Sequence, residues 1–330
     1  MIPPLTFRPL LKQIRWGGRR LGTVLGKPIG EASDYAESWE VVDHGNDQSV
    51  VDGGPLDGLT LDEVVKEHTL DLFGEKVDED SQGRRFPLLI KFLDATDRLS
   101  VQVHPDDPLA KRYDPEELGK TESWVILDVE PGAKLYAGLR EGVDASVLRA
   151  ALREDRVEDV LHAVDVKPGD CLFIPAGTVH AIGEGVLLAE VQQSSDLTFR
   201  LSDWGRVGSD GRPRQLHVEE SIEATDFTRG PVNPQTAEPV DGGERLCTCD
   251  YFTIVRQKME AGETVRVPSG ECRILIGVDG RSAVRADGNR YDLSKGRTVL
   301  IPARTTENVM IETEGDGTVL DVTLGRALPA

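Results

Sequence analysis

The sequence predicts a mainly β protein, two barrel-like β domains with a small helical segment. Three observations carry that reading. With 34 glycines and 19 prolines among 330 residues, the chain is broken into short apolar runs. Those runs are rich in Val, Ile, Leu and Thr and bounded by Gly, Pro or Asp, as strands are. They recur at regular spacing, which suits a β-sandwich or barrel.

In chain order, LTLDEVVKEHTLDLFG (59–74) reads as a helix, with Thr60 as N-cap and Glu63 at capping-box spacing. PLLIKFLDA (87–95) and LSVQVHP (99–105) read as strands. The second alternates, so Gln102 and His104 share one face and Val101 and Val103 the other. A short helix is predicted over 107–118, then strands over 123–129 and 133–139. Apolar residues at helical spacing behind a capping Asp144 predict a helix over 144–164. Further strands are predicted over 185–193, 251–259, 271–280, 298–303 and 317–325.

Two stretches echo each other. K-P-G-D-C-L-F-I-P-A-G-T-V-H (167–180) and S-K-G-R-T-V-L-I-P-A-R-T-T-E (294–307) share a turn, an apolar strand and an Ile-Pro-Ala exit. Gly169 falls opposite Gly296, and Ile174 opposite Ile301, but His180 is replaced by Glu307 and Gly177 by Arg304. The repeat predicts two related domains, 1–228 and 244–330, joined by the polar, Pro/Gly-rich linker 229–243. Only the first copy keeps a histidine able to ligate a metal.

Composition narrows the function. Basic residues number 38 against 58 acidic, a net charge of −20, which argues against nucleic acid or an anionic membrane as partner. No apolar run approaches the roughly 18 residues of a membrane span. The start, MIPPLTFRPLLKQIRWGG, lacks the apolar core and cleavage site of an export signal, so a cytoplasmic location is expected. Cys171, Cys247, Cys249 and Cys272 are too few and too irregular for a disulfide framework. A chain of this length builds its own core, so a monomer or homodimer is expected. Neither a Walker loop, a G-x-G-x-x-G after a strand nor a G-x-S-x-G elbow occurs. The run DEDSQGRR (78–85) reads as a solvated loop.

Of six histidines, His68 and His162 lie in amphipathic helix patterns and His44 and His217 in polar surroundings. His104 and His180 stand apart. His104 ends an alternating strand two residues after Gln102, on the same face. His180 follows a Pro-Ala-Gly-Thr-Val turn that aims it inward. Gly169, Pro175, Gly177 and His180 have the spacing of the glycine-proline-histidine motif of the cupin superfamily, to which this stretch is similar. Cupins carry a metal at the mouth of a small jelly-roll barrel, and the resemblance implies two cupin-like domains here.

The fuller set resembles the class I (type I) mannose-6-phosphate isomerases in a short form. The matching segments are W-G-G (16–18), E-S-W-E (37–40), F-P-L-L-I-K-F-L-D-A (86–95), L-S-V-Q-V-H-P-D-D (99–107), G-K-T-E-S-W (119–124), 168–182 and E-V-Q-Q-S-S-D-L-T-F-R-L-S-D-W-G-R (190–206). They span about three-fifths of the chain, from 16 to 206. The resemblance implies one Zn²⁺ per chain on Gln102, His104, Glu122 and His180. Two histidines and a carboxylate also suit Fe(II), so chemistry alone leaves the metal open. It further implies interconversion of mannose 6-phosphate and fructose 6-phosphate, a small sugar-phosphate substrate, through an enediol. That reaction needs a base, a cation at the developing oxyanion and a cation for the phosphate.

By motif, the active-site arginine is Arg200, a clamp rather than a base. Lys91, Lys120 and Glu190 match site-lining positions, and Glu190 is favoured as the base because a carboxylate needs no large pKa shift. Lys91, in the middle of an apolar strand, requires a cleft or a partner. Arg206 is a secondary phosphate candidate or an ion-pair residue. Two rival readings are a non-haem iron cupin dioxygenase and a non-catalytic cupin that binds a sugar phosphate.

Overall fold

The computed structural model describes residues 1–76, 85–207, 211–305 and 308–326. Glu307, the expected counterpart of His180, and nearly all of 78–85 lie outside them. Strand makes up 41% and helix 14%, so the mainly β expectation holds. The chain divides into two compact units. One contains Gln13–Gly18 and Leu93–Gln235, the other Met1–Lys12, Arg19–Phe92 and Thr236–Ala330.

The first unit carries strands β1 (Val101–Val103), β2 (Glu122–Val129), β3 (Lys134–Leu139), β4 (Leu161–Asp165), β5 (Cys171–Ile174), β6 (His180–Ile182), β7 (Val186–Gln193) and β8 (Phe199–Ser202). One sheet has the order β4-β3-β6-β1-β8, and β5-β2-β7 are neighbours in another. Alternation decides which face each residue takes. Val101, Val103, Ala181, Phe199 and Leu201 bury one face of the five-stranded sheet in a core with Leu148, Ala151, Val157 and Val160. Their strand neighbours Gln102, His180 and Arg200 are thereby turned to the opposite face.

The helices depart from the sequence reading where charge and pairing override periodicity. The helix expected over 144–164 is only Ala145–Arg153, capped by Asp144, which accepts from the Ser146 and Val147 amides. The charged run Arg153 to Arg156 offers no apolar face, and Asp155 turns left-handed at φ 54°. A 3-10 turn, Val157–Val160, then leads into β4, which pairs with β3 instead of continuing the helix. The helix expected over 107–118 is Asp107–Tyr113, ending before Asp114-Pro115, where proline disfavours helical backbone in its predecessor. Residues 59–74 hold two helices, Leu61–Glu67 and Thr69–Phe73, the first with the Thr60–Glu63 capping box in place. The strand Tyr35–Val41 and the helix Val218–Ala224 went unread in the sequence.

In the second unit the C-terminal strands are β9 (Glu238–Val240), β10 (Gly243–Thr248), β11 (Phe252–Met259), β12 (Thr264–Arg266), β13 (Arg273–Asp279), β14 (Ser282–Ala286), β15 (Asn289–Asp292), β16 (Thr298–Ile301), β17 (Met310–Thr313) and β18 (Gly317–Leu324). They form sheets β9-β10-β11-β18-β13-β16 and β12-β17-β14-β15. Leu275, Val284, Val299, Ile311 and Val319 lie at the centre of its core. The N-terminal residues belong with this unit. Leu5 and Leu300 exchange backbone bonds of 2.8 and 2.9 Å, and the Ala303 amide donates to the Leu72 carbonyl at 3.0 Å. The change of unit at Gln235 falls inside 229–243, but residues 1–12 and 19–92 group with 236–330 rather than with 93–228.

The repeat extends to topology. Strands β1 to β7 and β12 to β18 follow one chain order and adopt the same neighbours: β5-β2-β7 matches β16-β13-β18, and β4-β3-β6-β1 matches β15-β14-β17-β12. Gly169 and Gly296 both take positive φ, 91° and 81°, in the turns that start the echoed segments. No sheet closes among the described residues, so each half is built from open sheets rather than a closed barrel.

Candidate metal centre

Register assembles the site. In antiparallel sheets, residues directly opposite one another share a face. Across β6, β1 and β8, His180 opposes Gln102, and Gln102 opposes Arg200, forming one polar row. In the other sheet of the unit, Glu122 opposes Ile174 and Gln192, while Trp124 opposes Leu172 and Glu190. His104 lies one residue beyond β1, its carbonyl accepting from the Gly177 amide at 2.8 Å.

The three strongest metal ligands converge. Ligand atoms of His104, Glu122 and His180, all buried, lie within 4.8 Å of one another. Glu122 Oε1 is 3.3 Å from His180 Nε2, and Glu122 Oε2 is 3.5 Å from His104 Nε2. Two donors each about 2.0–2.1 Å from one ion at the tetrahedral angle lie roughly 3.3–3.4 Å apart, which these spacings match. Each imidazole is also held from behind. His104 Nδ1 bonds the Leu197 carbonyl at 3.0 Å, and His180 Nδ1 bonds the Thr178 carbonyl at 2.9 Å. With Nδ1 as donor, the Nε2 lone pair of each ring is left for a metal.

Burial pushes the His180 pKa down to about 4, against the opposing pull of the Thr178 carbonyl, so the ring is neutral at physiological pH. Gln102 Nε2 sits 3.2 Å from His180 Nε2, and a half-turn of that amide presents Oε1 as a fourth donor. The donor set fits a zinc or iron ion.

Neighbouring polar groups fix the frame. Asp107 Oδ1 accepts from the Gly119 amide at 2.7 Å and from Gln193 Nε2 at 2.9 Å. Gln193 Oε1 in turn accepts from the Thr121 amide. The segments bearing His104 and Glu122 are thus tied to β7. Gly177 adopts φ 86°, where a Cβ would stand 3.2 Å from the Ala224 carbonyl. Only glycine meets both demands at that turn.

The other predicted residues can now be placed. Lys120 is buried with Nζ 3.4 Å from Glu122 Oε2. Glu190 is buried and its Oε2 accepts from Trp124 Nε1 at 3.0 Å. Arg200 is half-buried. Its Nη1 donates to the Gln215 carbonyl at 3.0 Å, while its buried Nε finds no hydrogen-bond acceptor among the described residues. Burial first, then Arg214, lowers its pKa without removing its charge. Lys91 belongs to the other unit, buried 3.6 Å from Glu37 Oε2 and 4.6 Å over the Trp39 ring; these are the partners its apolar strand required. Arg206 is an ion-pair residue, bonded to Asp97 and Asp203.

Sequence reading missed Trp124 and Gln192. Both are fully buried on the site's rows, and Trp124 meets the His180 ring edge-on at 5.4 Å between centroids. The signal was present: Trp124 and Gln192 stand two residues from Glu122 and Glu190, hence on the same faces.

The chain is similar to a group of mannose-6-phosphate isomerases. Residues 5–122 match the family described as phosphomannose isomerase type I, catalytic domain. A mannose-6-phosphate isomerase of Bacillus subtilis is 36% identical over 303 residues, covering 91% of this chain and 93% of the relative. The crystal structure of the mannose 6-phosphate isomerase from Bacillus subtilis superposes with a TM-score of 0.86 at 30% identity, covering 97% of this chain and 99% of that one. A mannose 6-phosphate isomerase bound with zinc and yttrium shares the fold, with a TM-score of 0.76 at 18% identity over 98% of this chain and 100% of that one.

Proposed function

The chain belongs to the type I mannose-6-phosphate isomerase family, and from that premise we propose that it interconverts mannose 6-phosphate and fructose 6-phosphate through an enediol at a single zinc site. The carrying observation is the convergence of His104, Glu122 and His180 within 4.8 Å. Gln102 completes the set as an amide ligand. When bound, the ion supplies positive charge for the oxygen that becomes anionic as the enediol forms.

The chain's own residues supply the rest. Glu190, a buried carboxylate, takes the C2 proton and returns it at C1, while the O2 hydroxyl proton passes to O1; one base on one face of the enediol suffices for both transfers at carbon. Lys120, whose ammonium faces Glu122, is at hand to hold a substrate oxygen as charge develops. The spare N–H of Arg200 suits a phosphate or sugar oxygen and fixes the register of the substrate. Lys91 is proposed as a site-lining group on the strength of the motif alone. These cations create local positive potential in a protein of net charge −20, so capture of an anionic sugar rests on the pocket. The topological repeat supports two jelly-roll sandwiches of cupin type, the first of which keeps the metal.

A coupled assay of mannose 6-phosphate conversion, before chelation, after it, and after zinc return, tests the proposal. Activity should vanish on chelation and return with about one zinc per chain by metal analysis. Full zinc occupancy without conversion defeats it.

A further inference from the structure

Trp124 is fully buried and has no reason of charge or exposure to stand beside a metal centre. Its indole N–H donates to Glu190 Oε2 at 3.0 Å, and its ring meets the His180 ring edge-on. Strand pairing locks it from both sides, against Leu172 of β5 and Glu190 of β7. We propose that Trp124 is a positioning residue for the isomerisation, holding the Glu190 carboxylate in the orientation from which it reaches both C1 and C2. The inference rests on Glu190 as proton carrier.

The chemistry of the donor explains the choice. A glutamate side chain has three torsions, and a carboxylate serving two adjacent carbons must be held within a few tenths of an ångström. An indole N–H is a donor only, so it orients the carboxylate and can never accept the proton. It is also uncharged. A lysine or arginine in its place would form an ion pair and lower the basicity of the carboxylate.

The second copy of the fold makes that contrast within one chain. Register places Arg273 where Glu122 stands, since each opposes the isoleucine of an Ile-Pro-Ala exit. By the same register Leu275 replaces Trp124, and Asp321 replaces Glu190. The acid survives there, but its donor is the Arg273 guanidinium at 2.7 Å. Metal carboxylate and indole are lost together, while the acid is converted to an ion-pair partner.

The test compares Trp124→Phe, Glu190→Gln and the double variant as zinc-loaded full chains. Phenylalanine keeps the aromatic ring and removes the donor. Trp124→Phe should retain its zinc and leave KM within about two-fold while kcat falls roughly 10- to 100-fold, the pattern of a transition-state effect. The double variant should be no slower than Glu190→Gln alone, because the indole acts through that carboxylate. An activity-independent reading is the indole N–H proton resonance, one of four in the chain, identified by its loss in Trp124→Phe. It should move on Glu190→Gln in the metal-free protein as well as the loaded one. Unchanged kcat, additive losses with an inactive Glu190→Gln, or an unmoved resonance would each overturn the positioning role alone. An active Glu190→Gln overturns the role of Glu190 and the inference with it. Should Trp124→Phe fold poorly, the resonance is assigned by elimination with variants of Trp16, Trp39 and Trp204, and its response to Glu190→Gln still decides.

Discussion

Asp203 shows what a single side chain contributes around this site and how much of that is legible. Burial alone would raise its pKa, but hydrogen bonds from Arg214 and Arg206 outweigh it and hold the carboxyl below its ordinary value. A folded-state pKa below the unfolded one stabilises the protein above about pH 4, and that contribution is lost as pH falls through the folded value. Asp203→Asn should therefore unfold about 2 kcal/mol more easily at pH 7, with the gap to the parent closing below about pH 4. Urea unfolding across a pH series measures this; a gap independent of pH would refute it. From the sequence, Arg206 stood between phosphate binder and ion-pair residue, because a motif names a cation without naming its partner. Lys91 was equally undecided until Glu37 and Trp39 came into view. His104 needed no such help: a strand alternating Val and polar residues already states which side chains share a face.

At the scale of elements, short apolar strands between glycines and prolines were legible, since period-two alternation survives in five residues. The helix expected over 144–164 was not, because β4 looks equally apolar at helical spacing and only its pairing with β3 decides it. The repeat was visible as two echoed segments, but its extent, seven strands with matching neighbours, emerged from pairing alone. Its energetic consequence falls on β13 and β18. Arg273 bonds Asp321, which is 4% exposed, at 2.7 Å, and Asp321 has its pKa raised by burial against the pull of that guanidinium. Arg273→Met strands a buried carboxylate and should cost about 3 kcal/mol by urea unfolding at pH 7. Arg273→Met/Asp321→Leu should recover most of it, as an apolar pair of similar volume does. A double variant as unstable as the single would show that the guanidinium supports something other than Asp321.

For the whole molecule, an ion bound by the native state and not by the unfolded chain adds stability by mass action. Zinc at about a thousand times its dissociation constant contributes roughly 4 kcal/mol, worth a rise in melting temperature of about 6 °C for a chain of 330 residues. Calorimetry of chelated protein with and without added zinc should show that rise, and His180→Ala should abolish it. An equal rise in His180→Ala would move the ion elsewhere. The proposed division into 1–228 and 244–330 follows the sequence repeat, whereas packing joins 1–12 and 19–92 to the C-terminal residues through bonds such as Leu5 to Leu300.

What the sequence determined by itself was the mainly β class, the family, and which polar side chains share a strand face, because strand period and motif spacing are properties of neighbours along the chain. Tertiary structure alone decided that His104, Glu122 and His180, set on or beside separate strands, meet within 4.8 Å, and that the Trp124 indole donates to Glu190. Alternation tells a side chain which face to take; only the pairing of strands and the burial of both sheets tell it which other face it will meet.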